Sequence, residues 1–204
     1  CFERFVGKNK HLKKNMSLKN RHSGKKIFIV GNGPSINTQD IKLIKRGYSI
    51  FLNMGYLHPL YSEIAPNYHV IVDDKLANGA WDISILDQIK KLNPNVTFVL
   101  NSDWLRLRKF KKYINDDKFD IIWIKTGLFL TRFHKYRQFD ISKITYGMGV
   151  LGAAISLASH FGFKHVVLLG VESNAFCNEL EEKESHFYGI NKDNINLNSE
   201  QVYR

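Results

Sequence analysis

The sequence predicts one doubly wound α/β domain, a mostly parallel sheet with helices on both faces. Short β-branched apolar runs recur along the chain, helical patterns lie between most of them, and the first run stops at a Gly-x-Gly turn. Runs that stay apolar at every position suit strands buried on both sides, and strands alternating with helices suit parallel crossovers.

Strands are expected at 26–30, 49–53, 68–73, 96–100, 120–125 and 165–170. Between them, 38–46 reads as a helix ended by Gly47, 81–92 as one ended by Asn93-Pro94, and 102–114 as one opened by a Ser102 cap. The longest buried helix is expected at 149–161, rich in Gly and Ala, which allows close packing on a sheet.

At 204 residues and 44% hydrophobic, with 14 Phe and 9 Tyr, the chain can build one sizeable core. No apolar stretch approaches the roughly 20 residues of a membrane span, and the N-terminus has no signal-peptide core. Cys1 and Cys177 give neither a disulfide framework nor a zinc site, which fits a reducing cytoplasm. The chain starts at Cys1 and ends at Arg204 in a polar stretch, so we expect a piece of a longer polypeptide, truncated at its C-terminus.

Arg4, Lys8, Lys10, Lys13, Lys14, Lys19, Arg21, Lys25 and Lys26 face only Glu3 in the first stretch, which holds most of the formal net charge of +11. Residues 1–24 are therefore expected as a basic arm and 25–204 as the α/β domain. A second basic stretch runs from Arg106 to Lys112 and continues to Arg137 with aromatics interleaved. Solvated surface is the favoured reading of both, ahead of peripheral attachment to an anionic membrane, and no nucleic-acid partner is expected.

Chemistry is expected at the carboxyl edge of the sheet, where open α/β sheets bind ligands. Four loops meet there. They bring Gly31-Asn32-Gly33-Pro34-Ser35, Asn53, Asp73-Asp74, and Glu172 after Gly170. The first is either a phosphate cradle of backbone N–H groups or an ordinary tight turn. Asp73 and Asp74 suit a divalent cation, a ribose or a loop cap, and Asn53 suits a strand-end turn or a ligand contact. Thr145-Tyr146-Gly147, before the long helix, is a second candidate anion site. Downstream, Ser185-His186-Phe187-Tyr188-Gly189 offers a histidine as a base near neutral pH.

Taken together, Gly-Asn-Gly-Pro-Ser, Ile-Thr-x-Gly before a small-residue helix, Gly-Phe-Lys-His-Val-Val-Leu-Leu-Gly-Val-Glu and Ser-His-Phe-Tyr-Gly resemble glycosyltransferase family 42, the bacterial sialyltransferases. They are still more similar to the MptE-like relatives found with surface-polysaccharide genes. The resemblance covers residues 25 to 190. It implies a GT-A-like, Rossmann-like fold and an inverting transfer from a CMP-activated sugar to a glycan acceptor, with no tightly bound cofactor and no essential metal. It implies His186 as the base, and a nucleotide site from Gly31, Asn32, Gly33, Ser35, Asn53 and the Thr145–Gly147 segment. Cysteine usage and the basic arm lead us to expect a cytoplasmic protein, able to sit on the inner face of the cytoplasmic membrane through that arm, and able to self-associate.

Three departures stand out. Glu172-Ser173-Asn174 replaces a phosphate-binding tyrosine, Asp73 or Asp74 replaces an asparagine, and Tyr146 replaces a serine. The MptE-like branch carries an alternative, a pyrophosphokinase acting on a hydroxymethylpterin with Mg²⁺ held by Asp73 and Asp74. A non-catalytic scaffold is the third reading.

Overall fold

Strand order and crossover handedness together decide where every layer of this protein lies. The computed structural model describes residues 10–127, 139–146, 149–172 and 186–188. The strands are β1 (Lys26–Val30), β2 (Tyr48–Leu52), β3 (Tyr68–Ile71), β4 (Thr97–Asn101), β5 (Asp120–Gly127), β6 (Ile144–Tyr146) and β7 (His165–Leu169). They form one sheet in the order β6-β5-β4-β3-β2-β1-β7, and every pairing is parallel. The expected fold class, a parallel α/β Rossmann-like sheet with helices, is the one observed.

From β1 to β6 each crossover moves one strand in the same direction, and only β6 to β7 reverses. Right-handed crossovers then put the first set of connections on one face and the last on the other. The core divides accordingly. On one side Val30, Phe51, Ile71, Phe98, Leu100 and Trp123 of the strands pack with residues of the β1–β5 connections, among them Ile36, Leu76, Leu86 and Trp104. On the other, the alternate strand residues Ile27, Ile29, Ile50, Val70, Val99 and Ile124 meet Ala153, Ala154, Leu157 and Ala158. This two-residue alternation is the pleat expressed as two cores.

The helices are α1 (Lys10–Lys14), α2 (Tyr61–Ile64), α3 (Asp74–Asn78), α4 (Ile85–Leu92), α5 (Lys111–Ile114) and α6 (Gly149–His160). Several are shorter than expected. The stretch read as a helix at 38–46 is two 3₁₀ turns, Pro34–Thr38 and Ile41–Ile44, with Asp40 accepting from the Lys42 N–H between them. The stretch at 102–114 breaks into Ser102–Arg106, Arg108–Phe110 and α5. Its cap is Asn101, whose side chain accepts from the Asp103 N–H, while the Ser102 hydroxyl is buried without a partner. The connections 31–47 and 102–119 are long enough for parallel crossovers, and here short helical turns packed on the sheet make them in place of one continuous helix.

The basic arm expected at 1–24 is part of the packed structure from Lys10 onward. Leu12 and Asn15 are buried, Asn20, His22 and Gly24 donate backbone bonds to His160, Phe161 and Gly162, and Leu18 packs on the α6 side of the core. Asn15 is the anchor. Its amide donates to the carbonyls of Trp123 (2.8 Å) and Ile141 (2.9 Å), and its own carbonyl accepts from His160 Nε2 (2.8 Å). Among the described residues no helix is long and apolar enough to cross a membrane.

Replacing Asn15 by Ala leaves two buried carbonyls unpaired, so we expect Asn15→Ala to lower the unfolding free energy by about 2–4 kcal/mol. Urea denaturation checks this. A midpoint equal to that of wild type would mean that the segment is not integral to the fold.

Candidate functional site

A doubly wound sheet opens a crevice where its strand order reverses. Here that point lies between β1 and β7. The turn 31–35 leaves the carboxyl end of β1 and runs against the chain leaving β7. The Gly31 N–H donates to the Leu169 carbonyl (2.7 Å) and the Gly33 N–H to the Gly170 carbonyl (2.9 Å). A Cβ on Gly31 would collide with the Gly170 carbonyl, and one on Gly33 with the Glu172 carboxylate. Gly170 itself has φ +61°, a left-handed conformation suited to glycine. The glycines thus serve the approach of two strand ends.

Glu172 completes this contact. Its Oε1 accepts from the Ser35 N–H at 2.9 Å. Gly33 sits at the N-cap of the 3₁₀ turn Pro34–Thr38 and has no side chain to cap it, so the carboxylate from β7 does so. Three N–H groups that a phosphate cradle would use, those of Gly31, Gly33 and Ser35, are therefore already paired.

Next along the edge, Asn32 Nδ2 donates to the Leu52 carbonyl (3.2 Å), which leaves Asn32 Oδ1 buried and without a donor. Asn53 Oδ1, at the end of β2, is in the same condition. Asn53 has φ +44°, a region that asparagine tolerates better than most residues. Its peptide is held from below by His69, buried in β3, whose Nε2 lies 2.7 Å from the Asn53 carbonyl. A carbonyl only accepts, so Nε2 carries the proton and Nδ1 accepts from the Tyr61 hydroxyl at 2.9 Å. Burial lowers the His69 pKa to about 4, the bond to Asn53 opposing, and so holds the ring neutral.

Asp73 is the N-cap of α3, its Oδ1 accepting from the Lys75 N–H at 3.0 Å, and Asp74 opens that helix. Above these strand ends lies the segment 186–188. The Phe187 N–H donates to the Asn32 carbonyl at 2.8 Å, and the Phe187 ring lies 5.4 Å from that of His58. This anchor puts His186 next to the turn. Burial, and then the Lys75 ammonium, pull the His186 pKa below the ordinary histidine value. The ring is therefore neutral at neutral pH and able to accept a proton.

Of the residues expected at the site, Gly31, Asn32, Gly33, Ser35, Asn53, Asp73, Asp74, Gly170, Glu172 and His186 gather at the ends of the adjoining strands β7, β1, β2 and β3. Thr145 and Tyr146 lie on β6 at the other edge of the sheet, with four strands between them and β1. Gly147 is outside the described residues. Sequence reasoning missed His69, Tyr61, Lys75 and His58. One signal was available for His69: a histidine inside an otherwise apolar strand run has to find buried partners.

The geometry defines a parallel α/β protein whose candidate site lies at its switch point, with unpaired acceptors on Asn32 and Asn53 and the segment 186–188 bonded to Asn32. A family model described as 6-hydroxymethylpterin diphosphokinase MptE-like matches residues 3–176, and the chain belongs to that MptE-like family. Among solved structures it is similar to the MAf glycosyltransferase from Magnetospirillum magneticum AMB-1, at 20% identity and a TM-score of 0.47. That match covers 79% of this chain and 27% of the other, so the chain spans little more than a quarter of that protein's length. No curated protein matches.

Because His69 binds a proton more weakly folded than unfolded, the unfolded state takes up more protons and stability falls as pH drops from about 6.5 through about 4. His69→Gln can keep both hydrogen bonds without titrating. Between pH 7 and pH 4 we expect wild type to lose about 3 kcal/mol more than this variant. Parallel slopes in urea titrations would contradict the assignment.

Proposed function

We propose that this chain is the nucleotide-binding part of a glycosyltransferase that moves a sugar from a CMP-activated donor to a glycan hydroxyl. The observation that carries this reading is the Phe187–Asn32 backbone bond, which sets a neutral His186 beside the ligand edge. In the reaction the acceptor oxygen bonds to the anomeric carbon as the carbon–oxygen bond to phosphate breaks. His186 takes the hydroxyl proton, and CMP leaves with the bonding pair. The leaving phosphate departs on the face of the anomeric carbon opposite His186, and the Lys75 ammonium near His186 helps to keep that ring unprotonated before it takes the hydroxyl proton. The orphaned acceptors Asn32 Oδ1 and Asn53 Oδ1 suit donor groups such as an exocyclic base amine or a sugar hydroxyl.

Two carboxylates that a Mg²⁺–nucleotide complex would draw on are otherwise engaged, Asp73 as the α3 cap and Glu172 on Ser35. This favours transfer without a metal. The family description supports a second reading, a Mg²⁺-dependent diphosphokinase acting from ATP, in which Asp73 and Asp74 turn to the metal. In either case the acceptor, attachment to an anionic membrane and self-association belong to this proposal.

A thermal-shift panel of CMP, CDP, UDP, GDP and ATP, with and without Mg²⁺, separates the readings, since a ligand bound only by the folded state raises Tm. We expect CMP to raise it without Mg²⁺. A shift with ATP alone, and only with Mg²⁺, would select the kinase. His186→Ala should leave the CMP shift in place and lower sugar transfer by about 10²–10⁴-fold; undiminished turnover would remove the base from the mechanism.

A further inference from the structure

The Gly31–Ser35 turn holds a charge of the same sign as phosphate. We infer that Glu172 is a specificity-determining residue: its carboxylate fills the place that the Gly33-Pro34-Ser35 backbone would give to a phosphoryl oxygen. The turn therefore takes the hydroxyl- or amine-bearing end of a ligand, and the phosphate lies farther along the edge.

The geometry supports this at three points. Glu172 Oε1 is 2.9 Å from the Ser35 nitrogen, the separation of an ordinary N–H to oxyanion bond. The carboxylate lies so close over Gly33 that a Cβ there would overlap it, so no phosphoryl group enters while it stays. Asn32 Oδ1 and Asn53 Oδ1, unsatisfied beyond β1 and β2, are acceptors, while the unsatisfied Ser102 Oγ and the Trp104 Nε1 donor lie beyond β4. The acceptors beyond β1 and β2, with the Glu172 carboxylate, recognise hydrogen-bond donors at the turn itself. Glycine at position 33 is what admits a carboxylate from another strand, and Glu172 is held against the turn by the neighbouring Gly33 to Gly170 bond.

The inference draws on the nucleotide reading above only for the identity of the ligand, and inorganic pyrophosphate tests it without a nucleotide. Glu172→Gln keeps an acceptor for the Ser35 N–H and removes the charge; Glu172→Ala empties the place. Calorimetric titration of pyrophosphate into wild type and both variants at neutral pH should show affinity at least about tenfold higher in the variants, or about 1.4 kcal/mol. Adding Ser35→Pro to Glu172→Gln removes the N–H donor and should abolish the gain. A proline at 35 disfavours the helical conformation of Pro34, so Ser35→Pro alone is measured beside the double variant, and only a double variant that keeps the Tm of that single variant is read. Equal pyrophosphate affinity in wild type and both variants would overturn the inference and leave Glu172 as a cap alone. A gain without any CMP shift in wild type would sustain it and sink the CMP reading, whereas a CMP shift without the gain would do the reverse.

Discussion

The approach of β1 and β7 through glycine is the constraint on which this protein's arrangement depends. The reversal in strand order leaves β7 to pair with β1, and the two chains leave the sheet side by side. Backbone bonds from Gly31 and Gly33 to Leu169 and Gly170 then tie the loops together. Side chains at Gly31 or Gly33 would separate the loops, and the Glu172 carboxylate would lose its place on Ser35. The edge on which the ligand chemistry rests is thus an outcome of packing two strand ends at backbone distance.

Polar groups at this edge divide into those that hold the frame and those left over. His69 and Tyr61 fix the Asn53 peptide from inside the core, Asp73 caps α3, and Glu172 caps the turn from outside. The side-chain amide oxygens of Asn32 and Asn53 are left without donors, and the Phe187 N–H bonds the segment carrying His186 to the Asn32 carbonyl. Buried acceptors without donors are rare in folded proteins because each carries an uncompensated loss of hydration. Asn32 and Asn53 each keep one such acceptor in neighbouring loops, as Ser102 Oγ and Trp104 Nε1 keep unpaired groups beyond β4.

Much of this was legible in the sequence. The run Ile27–Val30 is apolar and largely buried, as a strand inside a parallel sheet should be, whereas the equally apolar run Val166–Leu169 lies half-exposed at the end of the sheet. The weak helical period at 38–46 misled, because burial of Ile36, Ile41 and Ile44 against the sheet, rather than propensity, sets the form of this connection as two 3₁₀ turns. β6 went unseen since three residues carry no periodicity. Glycines 31 and 33 were visible as a special turn, yet the sequence does not say whether they admit a phosphate or another strand. Asn15 hid inside a run of lysines, where charge masked one buried amide among its neighbours.

The bond from Ser35 to Glu172 joins residues 137 positions apart. Closing so long a loop carries a large entropic cost, and contacts of that span reward the chain only after the intervening strands are in register. During synthesis the turn at 31–35 emerges early and waits for β7, while β1 to β6 can assemble without it. The Ser35–Glu172 contact is therefore made last, and a chain halted before Glu172 would hold most of a sheet with the turn after β1 uncapped.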